Sequence, residues 1–268
     1  MRSHFSPVCG DFCERIAGNL DGVILGFVGS GSMAAALARG LVGEVDGMLF
    51  SDSGSGRAAR LAEELGGEAL SNEEVAERAD AIVLAVKPAA LDAVAPSLQG
   101  AAEIVSVLAA TPLARLREAF PDASILRTMP NVGVEVCQGV ICVAGDTPSH
   151  AVAAALEHIA RVFEIEEEDF DRATAVMGCS PAYLALAVEA IADAGAADGL
   201  DPDLARELVV ETAAGTAELL RGRHPAEVRR AVASPGGSTE AGLEALDREG
   251  ARAAFAAAVG ASLERMRG

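Results

Sequence analysis

A short apolar run, a glycine-rich turn and an alanine-rich segment follow one another at residues 23–37, and this order constrains the fold more than any other feature. The turn reads Gly-Ser-Gly-Ser-Met-Ala over residues 29–34, a G-x-G-x-x-A pattern. Gly29 is expected to make the tight turn, Gly31 to admit a pyrophosphate close to the backbone, and Ala34 to allow close packing of helix on sheet. The helix start would face the phosphates with free N–H groups and a positive dipole end. The pattern predicts the strand, turn and helix of a dinucleotide-binding unit rather than an ordinary turn.

The composition excludes several classes of protein. Of the 268 residues, 51% are hydrophobic, so we expect a substantial core in one large or two moderate domains. The net charge of −19 repels phosphate backbones and argues against a nucleic-acid partner. Because charges interrupt every long apolar run, no membrane-spanning helix and no membrane partner are expected.

The cysteines and the amino-terminal segment predict a cytoplasmic location. The cysteines follow neither a zinc-binding spacing nor a disulfide framework, so we expect reduced thiols and no metal site. Residues 1–22 carry charges without a sustained apolar core, which indicates an N-terminal extension rather than a signal peptide. The cysteines are Cys9, Cys13, Cys137, Cys142 and Cys179.

Residues 23–166 alternate between predicted strands and helices. Strands are expected at 47–51, 81–86, 104–108, 124–126 and 140–143, with a helix over 57–65. Ser149 is a plausible cap for an amphipathic helix whose apolar face carries Val152, Leu156, Ile159 and Phe163. The pattern predicts an α/β, Rossmann-type domain built on a doubly wound parallel sheet.

Residues 167–268 are expected to form an all-helical second domain. Ser180 is a candidate N-cap and Pro181 a first helical residue for an apolar helix that runs to about residue 197. Further helices are expected over 203–220, 226–233 and 241–266. The apolar helix should be buried, either within the chain or against a second subunit, because so small a domain has little core of its own.

Asp52 stands at the end of the second predicted strand, where three interpretations are open. A carboxylate there commonly binds the ribose hydroxyls of NAD. Neighbouring donors on Ser51, Ser53, Ser55 and Arg57 suit the 2′-phosphate of NADP instead. An acidic residue can also simply form the turn. The choice between NADPH and NADH therefore stays open.

Polar residues follow two other predicted strands. Val86, Lys87 and Pro88 come after a buried strand, at the edge where ligands bind in such sheets. A solvated lysine at a strand end is the commoner explanation for a single residue of this kind. Asn131 follows the strand that begins at residue 124. Its amide can bind a nicotinamide or a substrate carboxylate, or it can be a turn residue.

A double glycine flanked by hydroxyl residues lies between two predicted helices, in the sequence Ser-Pro-Gly-Gly-Ser-Thr over residues 234–239. Several N–H groups at a helix start would make a cradle that fits a carboxylate. The alternative is an ordinary interhelical turn with a Ser or Thr cap.

Taken in order, these motifs resemble the pyrroline-5-carboxylate reductase family, from about residue 23 to residue 267. The resemblance rests on residues 26–34, 86–88, 129–131, 181–183, 189–195 and 234–239. It implies a Rossmann domain, a helical domain that dimerises, and reduction of the cyclic imine 1-pyrroline-5-carboxylate to L-proline. The implied cofactor is NADPH, with NADH as the alternative.

The resemblance also implies roles for individual residues. The hydroxyl of Thr239 would hydrogen-bond the ring nitrogen of the substrate, and Thr239 and Lys87 are the catalytic candidates. The implied cofactor-binding residues are Gly29, Ser30, Gly31, Ser32, Met33, Asp52, Ser53, Val86, Lys87, Pro88 and Asn131. The implied substrate-binding residues are Asn131, Ser234, Pro235, Gly236, Gly237, Ser238 and Thr239.

The chain departs from the common family pattern around the expected substrate and nicotinamide sites. Residues 177–180 read Met-Gly-Cys-Ser where hydroxyl residues and glycines are common, and 132–133 read Val-Gly instead of Thr-Pro. Ala110 replaces a glycine and Glu240 an apolar residue. These changes leave two alternatives open: a reductase of another cyclic imine, and a catalytically inactive nucleotide-binding regulatory protein.

Overall fold

The computed structural model describes residues 22–267. The expected N-terminal extension, with Cys9 and Cys13, therefore lies outside the described residues except for Gly22. The chain divides into two compact units, of which the second is Cys179–Arg265 and the first comprises the described residues up to Gly178 together with Met266 and Arg267.

The first unit is built on an eight-stranded sheet of order β3-β2-β1-β4-β5-β6-β7-β8. All neighbouring strands pair in parallel except β6 and β7, which are antiparallel. The strands are β1 Ile24–Val28, β2 Gly47–Ser51, β3 Glu68–Ala69, β4 Ala81–Leu84, β5 Glu103–Ser106, β6 Ser124–Pro130, β7 Gly139–Gly145 and β8 Ala160–Glu164. The Rossmann-type prediction is confirmed. The sheet is parallel as predicted except between β6 and β7, where the short link leaves no room for a crossover helix.

Helices cover both faces of this sheet. They are α1 Ser32–Gly40, α2 Arg57–Leu65, α3 Asn72–Arg78, α4 Leu91–Val94, α5 Leu113–Ala119, α6 His150–Ile159 and α7 Phe170–Ala173. Short 3₁₀ segments lie at Pro88–Ala90, Ala95–Leu98, Val132–Val136 and Glu167–Asp169, and a π-helical turn lies at Thr174–Gly178. The bounds predicted for β2 and α2 are confirmed to the residue.

The cap predicted at Ser149 is confirmed, since its hydroxyl accepts the Val152 N–H at 3.3 Å. The apolar face predicted for this helix is wrong at its end. α6 ends at Ile159, and Phe163 lies in β8 with 39% of its surface exposed. Parallel pairing with β7 satisfies the backbone of residues 160–164 on one side, so joining the sheet overrides the helical spacing of the apolar residues.

The core lies on both sides of β1 and β4. Phe27 and Phe50 stack with ring centroids 5.2 Å apart on neighbouring strands. Ala34 is completely buried, as close packing of α1 on the sheet requires. On the other face, Gly26 lets α3 approach β1 so closely that a Cβ there would lie 2.4 Å from Cγ1 of Val75.

The second unit contains helices only among its described residues. They are α8 Ser180–Ala197, α9 Pro202–Gly222, α10 Pro225–Val232, α11 Ser238–Arg248 and α12 Ala251–Arg267. The N-cap predicted at Ser180 is wrong by one residue: Cys179 occupies that position without a side-chain hydrogen bond, and Ser180 begins the helix. Inside the unit, the Tyr183 hydroxyl lies 2.6 Å from the Ser262 Oγ and joins α8 to α12.

The apolar surface of α8 is not buried within the chain. Leu184, Leu186 and Ile191 are exposed over 65%, 63% and 60% of their surfaces, and Ala192 is the buried residue of this helix. Intramolecular burial alone is therefore excluded for α8. Its exposed leucines and isoleucine are suited to contact with a second subunit.

A helical stretch over residues 167–197, which includes α8, is long and apolar enough to cross a bilayer by length and composition. The most apolar 18 residues of this stretch have a mean hydropathy of 1.6, and 11% of them are buried. The sequence expectation rested on runs without any charge, whereas α8 carries Glu189 and Asp193. A helix at a subunit interface meets the same criterion of apolarity.

The close approach of α3 to β1 predicts the effect of a single methyl group. Gly26→Ala places that methyl 2.4 Å from Val75 and 2.9 Å from Ala79. We expect the free energy of unfolding to fall by about 1–3 kcal/mol, measured by urea titration. Gly47→Ala is the control, because its Cβ meets Ile24 at an ordinary 3.5 Å. Equal losses in the two variants would contradict this packing.

Candidate active site

Gly29 brings three strand ends together. Its φ is +95°, and a Cβ there would lie 2.6 Å from the carbonyl carbon and oxygen of Ala85, just beyond β4. Its N–H donates to the Ser51 carbonyl at the end of β2, at 3.1 Å. The tight turn predicted at Gly29 is therefore present, and a side chain at this position would force β4 away from β1.

The start of α1 fits an anion. Gly31 is the N-cap, where neither a side chain caps the helix nor an acidic residue follows in the first turn. A Cβ on Gly31 would meet nothing within 4 Å, and Ser32 is exposed. Because the first N–H groups of a helix have no acceptor within it, this open end suits the pyrophosphate of a dinucleotide.

Ser30 contributes differently from its neighbours in the turn. It is buried, and its hydroxyl donates to the Ser51 carbonyl at 3.0 Å. The hydroxyl therefore stabilises the turn, and at this position only the backbone is left to contact a cofactor.

The Asp52 carboxylate is fully engaged by its own loop. Oδ1 accepts the N–H groups of Gly54 and Ser55 at 2.7 and 3.0 Å. Oδ2 accepts the Ser55 hydroxyl at 2.9 Å and the Ala58 N–H at 2.9 Å. Four donors occupy the acceptor capacity of a carboxylate. The geometry favours the turn-forming interpretation over direct binding of ribose hydroxyls.

The same contacts lower the pKa of Asp52. Partial burial opposes ionisation and is the largest single effect, yet the donors from Ala58, Ser55, Gly54 and Arg57 together outweigh it and bring the pKa to about 2. The carboxylate holds the loop 52–58 in shape. The side chains of Ser53 and Arg57 are left exposed on this loop.

Lys87 is exposed at the carboxyl edge of the sheet, after β4. It occupies the N-cap position of the 3₁₀ segment Pro88–Ala90, and its carbonyl accepts the Ala90 N–H at 2.8 Å. β4 ends at Leu84, two residues before the predicted bound at residue 86, and Pro88 begins the 3₁₀ turn. The turn of residues 29–33, Asp52 and Lys87 thus follow three adjacent strands at one edge.

Asn131, after β6, holds a loop together. Its Oδ1 accepts the N–H groups of Gly133 and Val140 at 3.2 and 3.1 Å, and its Nδ2 donates to the Met177 carbonyl at 3.3 Å. The oxygen is saturated, and one amide hydrogen is left for another partner. The turn interpretation of Asn131 is favoured over a direct contact of its oxygen with nicotinamide.

The structure shows the contacts and backbone conformation of the residues in the first unit that depart from the family pattern. Gly133 supplies the N–H that Asn131 binds, which a proline at this position would lack. Met177 supplies the carbonyl for the other end of the same amide, so two altered segments meet at Asn131. Ala110 adopts φ +52°, a conformation that favours glycine.

Residues 234–237 form a type II turn in the second unit. Pro235 and Gly236 are its central residues, Gly236 has φ +72°, and the Gly237 N–H donates to the Ser234 carbonyl at 2.9 Å. Gly237 is the N-cap of α11, and Ser238 and Thr239 occupy its first turn, both exposed. The predicted cradle of N–H groups is present as a helix start without a side-chain cap.

Two interactions, one in each unit, were not expected from the sequence. The Glu240 Oε2 accepts the Gly236 N–H at 2.6 Å, so this carboxylate turns back onto the predicted cradle. In the first unit, the buried Arg127 pairs with Glu167 at 2.6 Å and lies over the Phe170 ring at 4.1 Å. An arginine inside an apolar strand run was the available signal for this pair.

A Rossmann unit with an open phosphate turn, followed by a helical unit, is an architecture found in NAD(P)-dependent oxidoreductases, and the comparisons place the chain in that class. The family model described as pyrroline-5-carboxylate reductase dimerisation matches residues 167–268, and that described as NADP oxidoreductase, coenzyme F420-dependent, matches residues 24–110. The pyrroline-5-carboxylate reductase of Synechocystis is 36% identical over 256 residues, covering 90% of this chain and 96% of that protein. The Thermus thermophilus enzyme is 35% identical, with 90% and 96% covered.

Solved structures agree with these relatives. The 1-pyrroline-5-carboxylate reductase of Streptococcus pyogenes matches with a TM-score of 0.82 and 31% identity, covering 91% of this chain and 97% of that one. The Plasmodium falciparum pyrroline carboxylate reductase, solved with NADP bound, matches with a TM-score of 0.81, 27% identity and the same coverage. The chain belongs to the pyrroline-5-carboxylate reductase family.

The hydrogen bonds of Asp52 predict a specific acid response. The pKa of Asp52 is about 2 in the folded chain against an ordinary value of 3.8, so the carboxylate stabilises the fold above about pH 4, and this contribution is lost as the pH falls toward 2. In Asp52→Asn an amide nitrogen replaces one carboxylate oxygen and faces at least one backbone N–H in either orientation, donor against donor. We expect a lower free energy of unfolding than wild type at neutral pH and a difference that shrinks below about pH 4, measured by urea titration at several pH values.

Asp122→Asn is the control for that series, since Asp122 is exposed in the turn before β6. It should follow the wild type at every pH. A constant difference between wild type and Asp52→Asn down to about pH 2 would contradict the assignment.

Proposed function

We propose that this chain reduces 1-pyrroline-5-carboxylate to L-proline with NADPH. The observation that carries the proposal is its match to curated reductases over 90% of its length. Both binding turns of the family pattern are kept within that match. No finding supports the alternatives of another cyclic imine or an inactive regulatory protein.

The cofactor would be held at the carboxyl edge of β1, β2 and β4. The backbone of residues 29–33 and the start of α1 would bind the pyrophosphate, and residues 86–88 would line the same edge, with Lys87 adding a positive charge. With Asp52 turned inward, the exposed Ser53 and Arg57 are suited to the 2′-phosphate. NADPH is therefore the preferred cofactor and NADH the weaker alternative.

The substrate would be held by the turn of residues 234–239. The N–H groups at the start of α11 would bind its carboxylate, with positive helix dipole and negative charge facing each other. The Thr239 hydroxyl would accept the N–H of the protonated imine and so orient the C=N bond. When bound, the nicotinamide supplies the hydride that forms the new C–H bond at the imine carbon, while the π electrons of C=N move to nitrogen.

Since the imine nitrogen already carries its proton, the protein needs no strong general acid. Positioning would supply most of the rate. Asn131 would act here through the loop that it holds, because its oxygen is already bonded to Gly133 and Val140.

The assembly would be a homodimer formed through the helices of the second unit. The dimerisation model covers residues 167–268, and α8 presents Leu184, Leu186 and Ile191 without cover from its own chain. We place the protein in the cytoplasm: Cys142 and Cys179 are free thiols, which suits a reducing compartment.

Turnover of 1-pyrroline-5-carboxylate, followed by NADPH oxidation with salt varied, tests the activity directly. We expect the wild type to reach about 1–1000 per second. Thr239→Val should lower kcat/KM by about 10- to 100-fold, the loss of one hydrogen bond to a charged group. Thr239→Ser keeps the hydroxyl and should recover most of it. A wild type without turnover at any salt concentration, although it binds NADPH, would overturn the proposed reaction.

Cofactor choice is tested at Arg57. Arg57→Gln removes the charge proposed for the 2′-phosphate and should raise the KM for NADPH by about tenfold or more while leaving that for NADH within about twofold. Arg60→Gln makes the same charge change at an exposed position on α2 and should alter neither. Equal effects of Arg57→Gln on both cofactors would refute this role.

A further inference from the structure

Glu240 connects the helix start to the turn before it. It is the acidic residue in the first turn of α11, and its Oε2 accepts the Gly236 N–H at 2.6 Å. The N-cap residue, Gly237, has no side chain to contribute. Glu240 thus makes a bond like that of the glutamate in a capping box, directed one residue further back.

This bond determines which donors of the turn are available. The Gly236 N–H is used by Glu240, and the Gly237 N–H is used by the Ser234 carbonyl at 2.9 Å. The first helical N–H groups have no acceptor within α11. A substrate carboxylate is therefore directed to the N–H groups of Ser238 and Thr239, and Thr239 also carries the hydroxyl proposed to bind the imine.

The negative charge of Glu240, unlike its hydrogen bond, weakens the binding of a carboxylate to the turn. A carboxylate fixed in the first turn of α11 partly neutralises the positive end of the helix dipole. It also repels a second carboxylate bound to the same turn, by an amount that solvent reduces but does not remove. The hydrogen bond and the charge of one side chain thus have separable effects on an anionic substrate.

We propose that Glu240 is a positioning and specificity-determining residue of the substrate site. Its hydrogen bond to Gly236 keeps the turn in the conformation that accepts a carboxylate, and its charge weakens the binding of that carboxylate. The proposal rests on the proposed function, in which residues 234–239 bind the substrate. It follows that a neutral acceptor at position 240 favours an imine with a carboxylate over one without.

Glu240→Gln separates the charge from the hydrogen bond, because the amide oxygen can still accept the Gly236 N–H. We expect the KM for 1-pyrroline-5-carboxylate to fall by about 3- to 10-fold with kcat within about twofold. The KM for 1-pyrroline, which has no carboxylate, should stay the same or rise. Glu244→Gln, an exposed position one turn further along α11, removes the same charge and should leave both KM values unchanged.

Glu240→Ala removes the hydrogen bond as well. Its kcat/KM should fall for both imines, because the turn that positions Thr239 is no longer held. Hydrogen exchange of the Gly236 amide, followed by NMR without substrate, should be slow in wild type and Glu240→Gln and fast in Glu240→Ala.

Two results would overturn the role of Glu240: equal Gly236 exchange in all variants, or a KM for 1-pyrroline-5-carboxylate that rises in Glu240→Gln. A KM change shared equally by both imines would also overturn it, since only one of them carries the charge. If wild type turned over neither imine while the exchange pattern held, the proposed reaction would fail and the hydrogen bond would stand.

Discussion

Gly29 packs so tightly against the segment that follows β4 that a side chain does not fit there, and the proposed cofactor-binding edge of the sheet depends on this contact. β1 lies between β2 and β4, and its last residue leads directly into the turn. A Cβ at position 29 would lie 2.6 Å from Ala85. The N–H of Gly29 and the hydroxyl of Ser30 both reach the Ser51 carbonyl, so the turn is bonded to one neighbouring strand and packed against the other. This contact leaves the start of α1 free of internal partners and open to an anion.

A common arrangement recurs at both proposed binding turns. Each helix start has a glycine at its N-cap, so the first N–H groups meet no capping side chain. The turn before each helix is held by other groups: the Ser51 carbonyl in the first unit, and in the second the Ser234 carbonyl and the Glu240 carboxylate, which lies in the first turn of α11. Structure is thus maintained by groups that leave the ligand-binding donors available, as preorganised binding requires.

Two side chains that the sequence motifs assign to ligand binding, Asp52 and Asn131, instead form hydrogen bonds within the protein. Asp52 bonds four donors of its own loop, and Asn131 joins Gly133, Val140 and Met177. Both residues therefore hold the shape of a loop. The substitutions around Asn131 agree with this, because Gly133 supplies a donor that the common proline lacks.

The sequence by itself determined the Rossmann class, the bounds of β2 and α2, the cap at Ser149 and the two glycine turns. Each of these depends on the spacing of neighbouring residues or on a glycine that the turn requires, and both can be recognised in the sequence alone. Tertiary structure decided that residues 160–164 join the sheet, that α8 stays exposed in its own chain, and that Glu240 turns back to Gly236. Those outcomes depend on which hydrogen-bonding and apolar partners are brought near in space, and residue order does not encode that locally.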